Sequence, residues 1–218
     1  MEILSIDPVQ PDKAILSKAT EIIRDGGLVA FPTETVYGIA ADATNPSAIK
    51  RIYEAKGRKK SKPILVLISH KDDLSCLVQY VPKRVERLMD AFWPGPLTLV
   101  FPALETLPRE LLGQGTTIGV RHSSASVAMA LCNCVETPIT APSANCSGGV
   151  EPLTAEAVAD QIGNSIDLIL DGGPAPSDIP STVVDVSNGA PRLIRSGCTS
   201  FDRVTDIWHG ISESVNSD

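Results

Sequence analysis

Aromatic residues are scarce in this chain: Phe, Trp and Tyr together make up 4% of 218 residues. So few rings cannot furnish a set of base-stacking platforms, the usual grip on single-stranded nucleic acid. A basic excess is missing too. Lys and Arg number 19 against 26 Asp and Glu, a net charge of −7. That excludes nucleic-acid binding by bulk charge, although a local basic surface remains open. No stretch approaches the roughly 18 uninterrupted apolar residues of a membrane-spanning helix. The first ten residues carry Glu2 and Asp7 without a basic head, so they do not read as a secretory leader. Cysteines are five and unpaired in spacing, and the three histidines His70, His122 and His209 stand apart. The pattern gives no structural zinc and reads as reduced thiols in a cytoplasmic protein that does not engage membranes.

The common catalytic signatures are absent as well. There is no Gly-x-x-x-x-Gly-Lys-Ser/Thr phosphate loop, and Gly113-Gln114-Gly115 has Ile118 where a dinucleotide fingerprint needs its third glycine. Neither a Gly-x-Ser-x-Gly elbow nor a His-Glu-x-x-His pair occurs. The usual catalytic constellations are therefore missing from the sequence.

What is present is an alternation of helices and short apolar strands. Ile15, Ala19, Ile22 and Ile23 recur at helical spacing up to Gly26-Gly27. Asn45-Pro46-Ser47 supplies a side-chain cap and a first-turn proline for a second helix that Gly57 is placed to end. Further helices are expected over Lys83 to Phe92, Ser124 to Cys134 and Thr154 to Ile162. Strands are expected at Leu28 to Phe31, Ile64 to Ile68, Leu97 to Phe101 and Thr117 to Arg121. Four more follow at Ile139 to Ala141, Leu168 to Leu170, Thr182 to Val186 and Arg192 to Arg195. This predicts an α/β domain of the α+β type: a single twisted mixed sheet flanked by helices, over residues 1–200. Residues 201–218 read as a polar tail whose end, Ser212 to Asp218, is expected to fray.

Six polar segments sit at the ends of these strands. Lys56-Gly57-Arg58-Lys59-Lys60-Ser61-Lys62 packs five cations into seven residues of an acidic protein. It is either a solvated loop whose Lys56 favours a helix C-terminus, or a clamp for phosphate oxygens. Ala141-Pro142-Ser143-Ala144-Asn145 and Pro32 to Gly38 are either plain turns or ligand-binding loops at strand ends. Arg121, Ser181-Thr182 and Arg195 complete the set. An arginine closing a strand is an ion-pair partner or a carboxylate receptor. Each alone reads as structural, but six in one domain favour a shared cleft.

Phe31-Pro32-Thr33-Glu34-Thr35-Val36-Tyr37-Gly38, Lys56-Gly57-Arg58, Lys62-Pro63, Trp93-Pro94-Gly95-Pro96-Leu97-Thr98, Gly119-Val120-Arg121, Ala141 to Asn145 and Ser181-Thr182-Val183-Val184-Asp185 resemble the YrdC-like family, in order, over about residues 10 to 197. The resemblance implies that fold, with a basic concave cleft. It also implies the synthesis of L-threonylcarbamoyl-AMP from L-threonine, bicarbonate and ATP, with Mg²⁺ accompanying the nucleotide and pyrophosphate released. The product would supply tRNA threonylcarbamoyladenosine modification through a downstream transferase machinery, and direct tRNA binding is a further expectation. Carried over by position, the family's Lys-x-Arg and Ser-x-Asn signature falls on Lys56, Arg58, Ser143 and Asn145, the expected catalytic set. ATP would be held by Arg58, Lys62, Thr117, Ala141, Ser143 and Arg195, and threonine by Thr35, Arg121 and Ser181. Leu67 stands where some relatives carry a histidine near the amino-acid site. Longer relatives have a second domain, so this chain resembles the single-domain type. The alternative is a paralogue of the same fold that acts mainly by binding RNA, or on another substrate.

Overall fold

The computed structural model describes residues 1–211. The chain runs β1 (Glu2–Ser5), α1 (Lys13–Arg24), β2 (Val29–Phe31), β3 (Gly38–Ala40), α2 (Pro46–Lys56), β4 (Val66–Leu67), α3 (Val85–Phe92) and β5 (Leu97–Pro102). It continues through α4 (Arg109–Leu112), β6 (Thr117–Arg121), α5 (Ser126–Val135), β7 (Ile139–Thr140), α6 (Ala155–Ile162), β8 (Leu168–Asp171), β9 (Thr182–Asp185), β10 (Arg192–Arg195) and α7 (Phe201–His209). Local chemistry sets the helix limits. The Asp12 carboxylate accepts from the Ala14 and Ile15 amides at the start of α1. Asn45 does the same for Ser47 and Ala48 at α2, with Pro46 in the first turn. Gly57 ends α2 with φ +56°, in the left-handed region that favours glycine.

The mixed α/β class expected from the sequence is adopted, but the strands pair as two sheets instead of one. Four strands run β1-β8-β2-β3 and six run β10-β9-β5-β6-β4-β7. The sheets meet along β3 and β7. There the Ile39 amide donates to Pro142 O, the Ala144 amide to Tyr37 O, and the Thr140 amide to Ala41 O. Pro142 has no N–H to continue a ladder. The Thr140 hydroxyl takes over part of the backbone pairing, accepting from the Ala41 amide and donating to Ile39 O. The seam is therefore stitched but not fused.

Strand alternation sorts side chains into two layers. Val29, Phe31, Leu168 and Leu170 pack with Leu16, Ala19 and Ile23 of α1 and with Val127, Ala128 and Leu131 of α5. Leu28, Ala30 and Ile169 join Leu97, Leu99, Phe101, Ile118 and Val120 of the six-stranded sheet in the larger core. The expected polar tail is a second correction. Residues Phe201–His209 form α7, which packs on α3, with Val204 and Trp208 buried and the Arg203 guanidinium 5.5 Å from the centre of the Phe92 ring. One apolar residue per helical turn suffices to dock a short helix whose other positions are polar. The fraying expected of Ser212 to Asp218 lies outside the described residues. Among the described residues no helix is long and apolar enough to cross a membrane.

Candidate active site

A cleft of about 280 Å³, partly open to solvent, lies against one face of the six-stranded sheet. That is near the lower end of the roughly 300–1,000 Å³ typical of ligand sites. Period-two alternation builds its floor: Thr98 and Val100 of β5, Thr117, Gly119 and Arg121 of β6, and Val183 of β9 face the cleft, while the residues between them enter the core. Gly119 keeps the floor low, because a Cβ there would stand 3.3 Å from the Thr98 methyl. The walls come from Thr33, Thr35 to Gly38, Arg58, Pro63 to Leu65, Ala141 to Ser143, Pro180-Ser181 and Ile194-Arg195. All six polar segments singled out in the sequence thus reach one cleft. They do so across the face of a sheet, whereas the sequence pointed to the strands' carboxyl ends.

Not every candidate residue reaches the wall. Thr35, Arg58, Thr117, Arg121, Ala141, Ser143, Ser181 and Arg195 line it; Lys56, Lys62 and Asn145 do not. Lys62 is exposed on the loop beyond Arg58. Lys56 is turned inward from the last turn of α2 and is 3% exposed. Its ammonium donates to Ser143 O at 2.5 Å, Asn145 O at 2.7 Å and Asn145 Oδ1 at 3.1 Å. Three donors meet three oxygens, so none is left for a phosphate. Asn145 is spent in the same way: Oδ1 also accepts from Ser143 Oγ at 2.7 Å, and Nδ2 donates to Gly149 O and Val150 O. Lys56 and Asn145 therefore set the loop that presents Ser143. Burial, then the nearby Arg58, pushes the Lys56 ammonium down to about 8, with Glu151 opposing.

The cations facing the cleft are three arginines. Arg58 donates through Nη2 to Pro63 O at 2.9 Å, and its buried Nε has no hydrogen-bond partner among the described residues. Burial lowers its pKa, yet a guanidinium stays ionised at neutral pH. Arg195 donates to Ser181 O at 2.8 Å and to Ser181 Oγ at 3.1 Å, holding the rim strand against the Ser181 turn. Ser181 Oγ also lies 2.9 Å from Thr98 Oγ1. Gly197 allows that turn to sit close, since a Cβ on it would come within 2.2 Å of Pro180 O.

Arg121, 4% exposed, is fixed from the loop after β2. Its Nη1 donates to Thr35 Oγ1 at 3.2 Å, and its Nε stands 3.9 Å from Glu34 Oε1. The other Glu34 oxygen accepts from Ser123 Oγ. Glu34 and Thr98 stand inside quoted segments, Pro32 to Gly38 and Trp93 to Thr98, but carry no expected site role, because their partners lie more than eighty residues away in the chain. Leu67, by contrast, is fully buried in the layer under α5 and does not line the cleft.

No carboxylate belongs to the wall, and among the described residues no three His, Cys, Asp or Glu side chains gather as a metal site. This donor set does not fit a protein-held Mg²⁺. An ion arriving with a nucleotide would be held by phosphate oxygens and belongs to the substrate. The arrangement suits an extended anion along Arg58 and Arg195, beside a small carboxylate-bearing molecule at Arg121.

A model of the Sua5, YciO and YrdC proteins, described as "Telomere recombination", matches residues 21–197. Similar proteins include the threonylcarbamoyl-AMP synthases of Pyrococcus abyssi, 42% identical over 87% of this chain, and of Bacillus subtilis strain 168, 38% identical over 92% of it. The chain spans 56% and 58% of those two proteins. The solved structure of P. abyssi Sua5 complexed with L-threonine aligns with a TM-score of 0.91 at 39% identity, covering 95% of this chain and 61% of that one.

Proposed function

Since the chain belongs to the Sua5/YciO/YrdC family, we propose that it joins L-threonine, bicarbonate and ATP into L-threonylcarbamoyl-AMP and releases pyrophosphate. On this reading it is a nucleotidyltransferase. Two relatives carry the synthase name, and a structural neighbour is described with L-threonine bound. The observation that carries the reading is the convergence of Arg58, Arg121 and Arg195 on one cleft with Thr35, Thr117, Ser143 and Ser181.

The chemistry asks for positioning and charge neutralisation rather than a nucleophilic side chain. The threonine amine and bicarbonate condense to a carbamate with loss of water. A carbamate oxygen then attacks the α-phosphorus, and the bond to the β,γ-diphosphate breaks. Two anions must approach each other, and the guanidinium groups offset their repulsion. In this assignment Arg58 and Arg195 take the triphosphate, while Thr117, Ser143 and the Ala141 backbone border the nucleotide. Arg121 takes the threonine carboxylate with its planar fork. Lys56 and Asn145 act through Ser143, as positioning residues. The exposed Lys59, Lys60 and Lys62 stand clear of the cleft and offer a patch for tRNA or a transferase partner. The product would serve tRNA modification in the cytoplasm.

The test is pyrophosphate release from Mg-ATP with and without L-threonine and bicarbonate. Release that needs both is expected; release indifferent to threonine would remove the substrate assignment. Arg58→Ala should lower kcat/KM for ATP by about 100-fold, the value of one or two charge-assisted contacts. It should leave the unfolding midpoint within a few degrees, since the side chain makes one hydrogen bond to the protein.

A further inference from the structure

The hydroxyls in the loop after β2 have a fixed direction, which follows from counting protons. Thr33 Oγ1 lies 2.7 Å from Val36 O and donates to it. Val36 is buried, and no other donor to its carbonyl is found among the described residues. The single Thr33 proton is therefore committed, because an orphaned buried carbonyl is costly. Thr33 Oγ1 accepts from the Thr35 amide at 3.1 Å and sits 3.0 Å from Thr35 Oγ1. With Thr33 spent, the Thr35 hydroxyl must be the donor in that contact. Thr35 Oγ1 in turn accepts from Arg121 Nη1 at 3.2 Å. Its proton and one lone pair are used, and what remains for the cleft is one lone pair.

We propose that Thr33 is a positioning residue that makes Thr35 an obligate hydrogen-bond acceptor, so that Thr35 meets the α-amino nitrogen of the bound amino acid. This rests on the threonine reading above. Arg121 donates to Thr35 and holds the carboxylate, and an α-nitrogen is two bonds from the carboxyl carbon. A carboxylate oxygen facing Thr35 would meet a lone pair and be repelled. An N–H is received. The relay thus fixes which way round the amino acid sits, with its nitrogen beside the loop and its carboxylate along the Arg121 fork.

The test is calorimetric binding of two ligands, L-threonine and (R)-3-hydroxybutanoate, which keeps the carboxylate and hydroxyl but lacks the amine. Thr33→Val preserves shape and frees the Thr35 proton to turn toward the cleft. L-Threonine should then bind about tenfold more weakly, the value of one hydrogen bond, while (R)-3-hydroxybutanoate keeps its affinity. Thr33→Ser should restore wild-type discrimination. Thr35→Val, which deletes the acceptor without touching Thr33, should give the same selective loss and covers the case in which Thr33→Val folds poorly. Equal weakening of both ligands, or of neither, in both valine variants would overturn the inference while leaving the threonine reading in place. A wild-type chain that binds neither ligand would overturn the reading, and the inference with it.

Discussion

Arg121→Ala should weaken L-threonine by at least 100-fold while changing ATP affinity by less than threefold. A bidentate guanidinium–carboxylate contact combines two charge-assisted hydrogen bonds of about 1.5–3 kcal/mol each. Arg121→Lys should recover only part of the loss, because an ammonium cannot present two parallel N–H groups to one carboxylate. The alanine variant also strands Glu34, whose buried Oε1 has no hydrogen-bond partner among the described residues and stands 3.9 Å from the Arg121 Nε. A drop in stability is therefore expected along with the loss of binding. Steady-state KM values for the two substrates, with a urea titration, separate the effects. A threonine KM that stays within threefold of wild type would relocate the amino-acid site.

Lys56→Met should destabilise the protein by about 3 kcal/mol, on the order of 10 °C in midpoint for a chain this size. Removing the ammonium leaves Ser143 O and Asn145 O without their donor, each worth about 1–3 kcal/mol. Asn145 Oδ1 still has the Ser143 hydroxyl. Relief of the burial cost offsets part of the loss. Activity should fall with the loop, since Ser143 reaches the wall only while that loop is held.

The pH dependence has a definite sign. Below about 8 the Lys56 ammonium is charged in folded and unfolded chains alike, and the folded protein carries the full cost of burying it. From there to the unfolded value of about 10.5, the folded chain sheds its proton first. The stability contributed by Lys56 then rises with pH, by up to about 1.36 kcal/mol per unit. The gap between wild type and Lys56→Met in urea unfolding should accordingly widen between pH 7 and pH 9.5. A gap that narrows would mean that the ammonium is favoured in the fold.

Much of the fold could be read from local chemistry. Asn45, Pro46 and Gly57 mark the ends of α2 as they stand in the structure, and β5 and β6 begin where the apolar runs begin. The misreadings share a cause. In sequence Lys56 belongs to one basic run with its neighbours, yet its partners lie 87 and 89 residues away. Nothing local distinguishes a lysine aimed at carbonyls from one aimed at phosphate. In α7 the polar majority masked Val204 and Trp208, four residues apart and both buried. The cleft's floor was written in the alternation of Thr117, Gly119 and Arg121 between apolar neighbours. The same alternation fits any strand with one solvated face, so by itself it does not mark a cleft. The division of the sheet turns on Pro142, whose effect depends on β3 arriving beside it.

That seam has a thermodynamic consequence. Thr35 belongs to the four-stranded side and Arg195 to the six-stranded side, so under the proposed function a nucleotide and an amino acid bound together would form a cross-brace between halves that the backbone only partly joins. Occupancy should then register as resistance to melting, by RT ln(1 + [L]/Kd), or about 2.7 kcal/mol at a hundredfold excess over Kd. Mg-ATP and threonine added together should raise the melting temperature more than the sum of their separate effects, whereas strictly additive shifts would mean that the two ligands do not share a load across the seam.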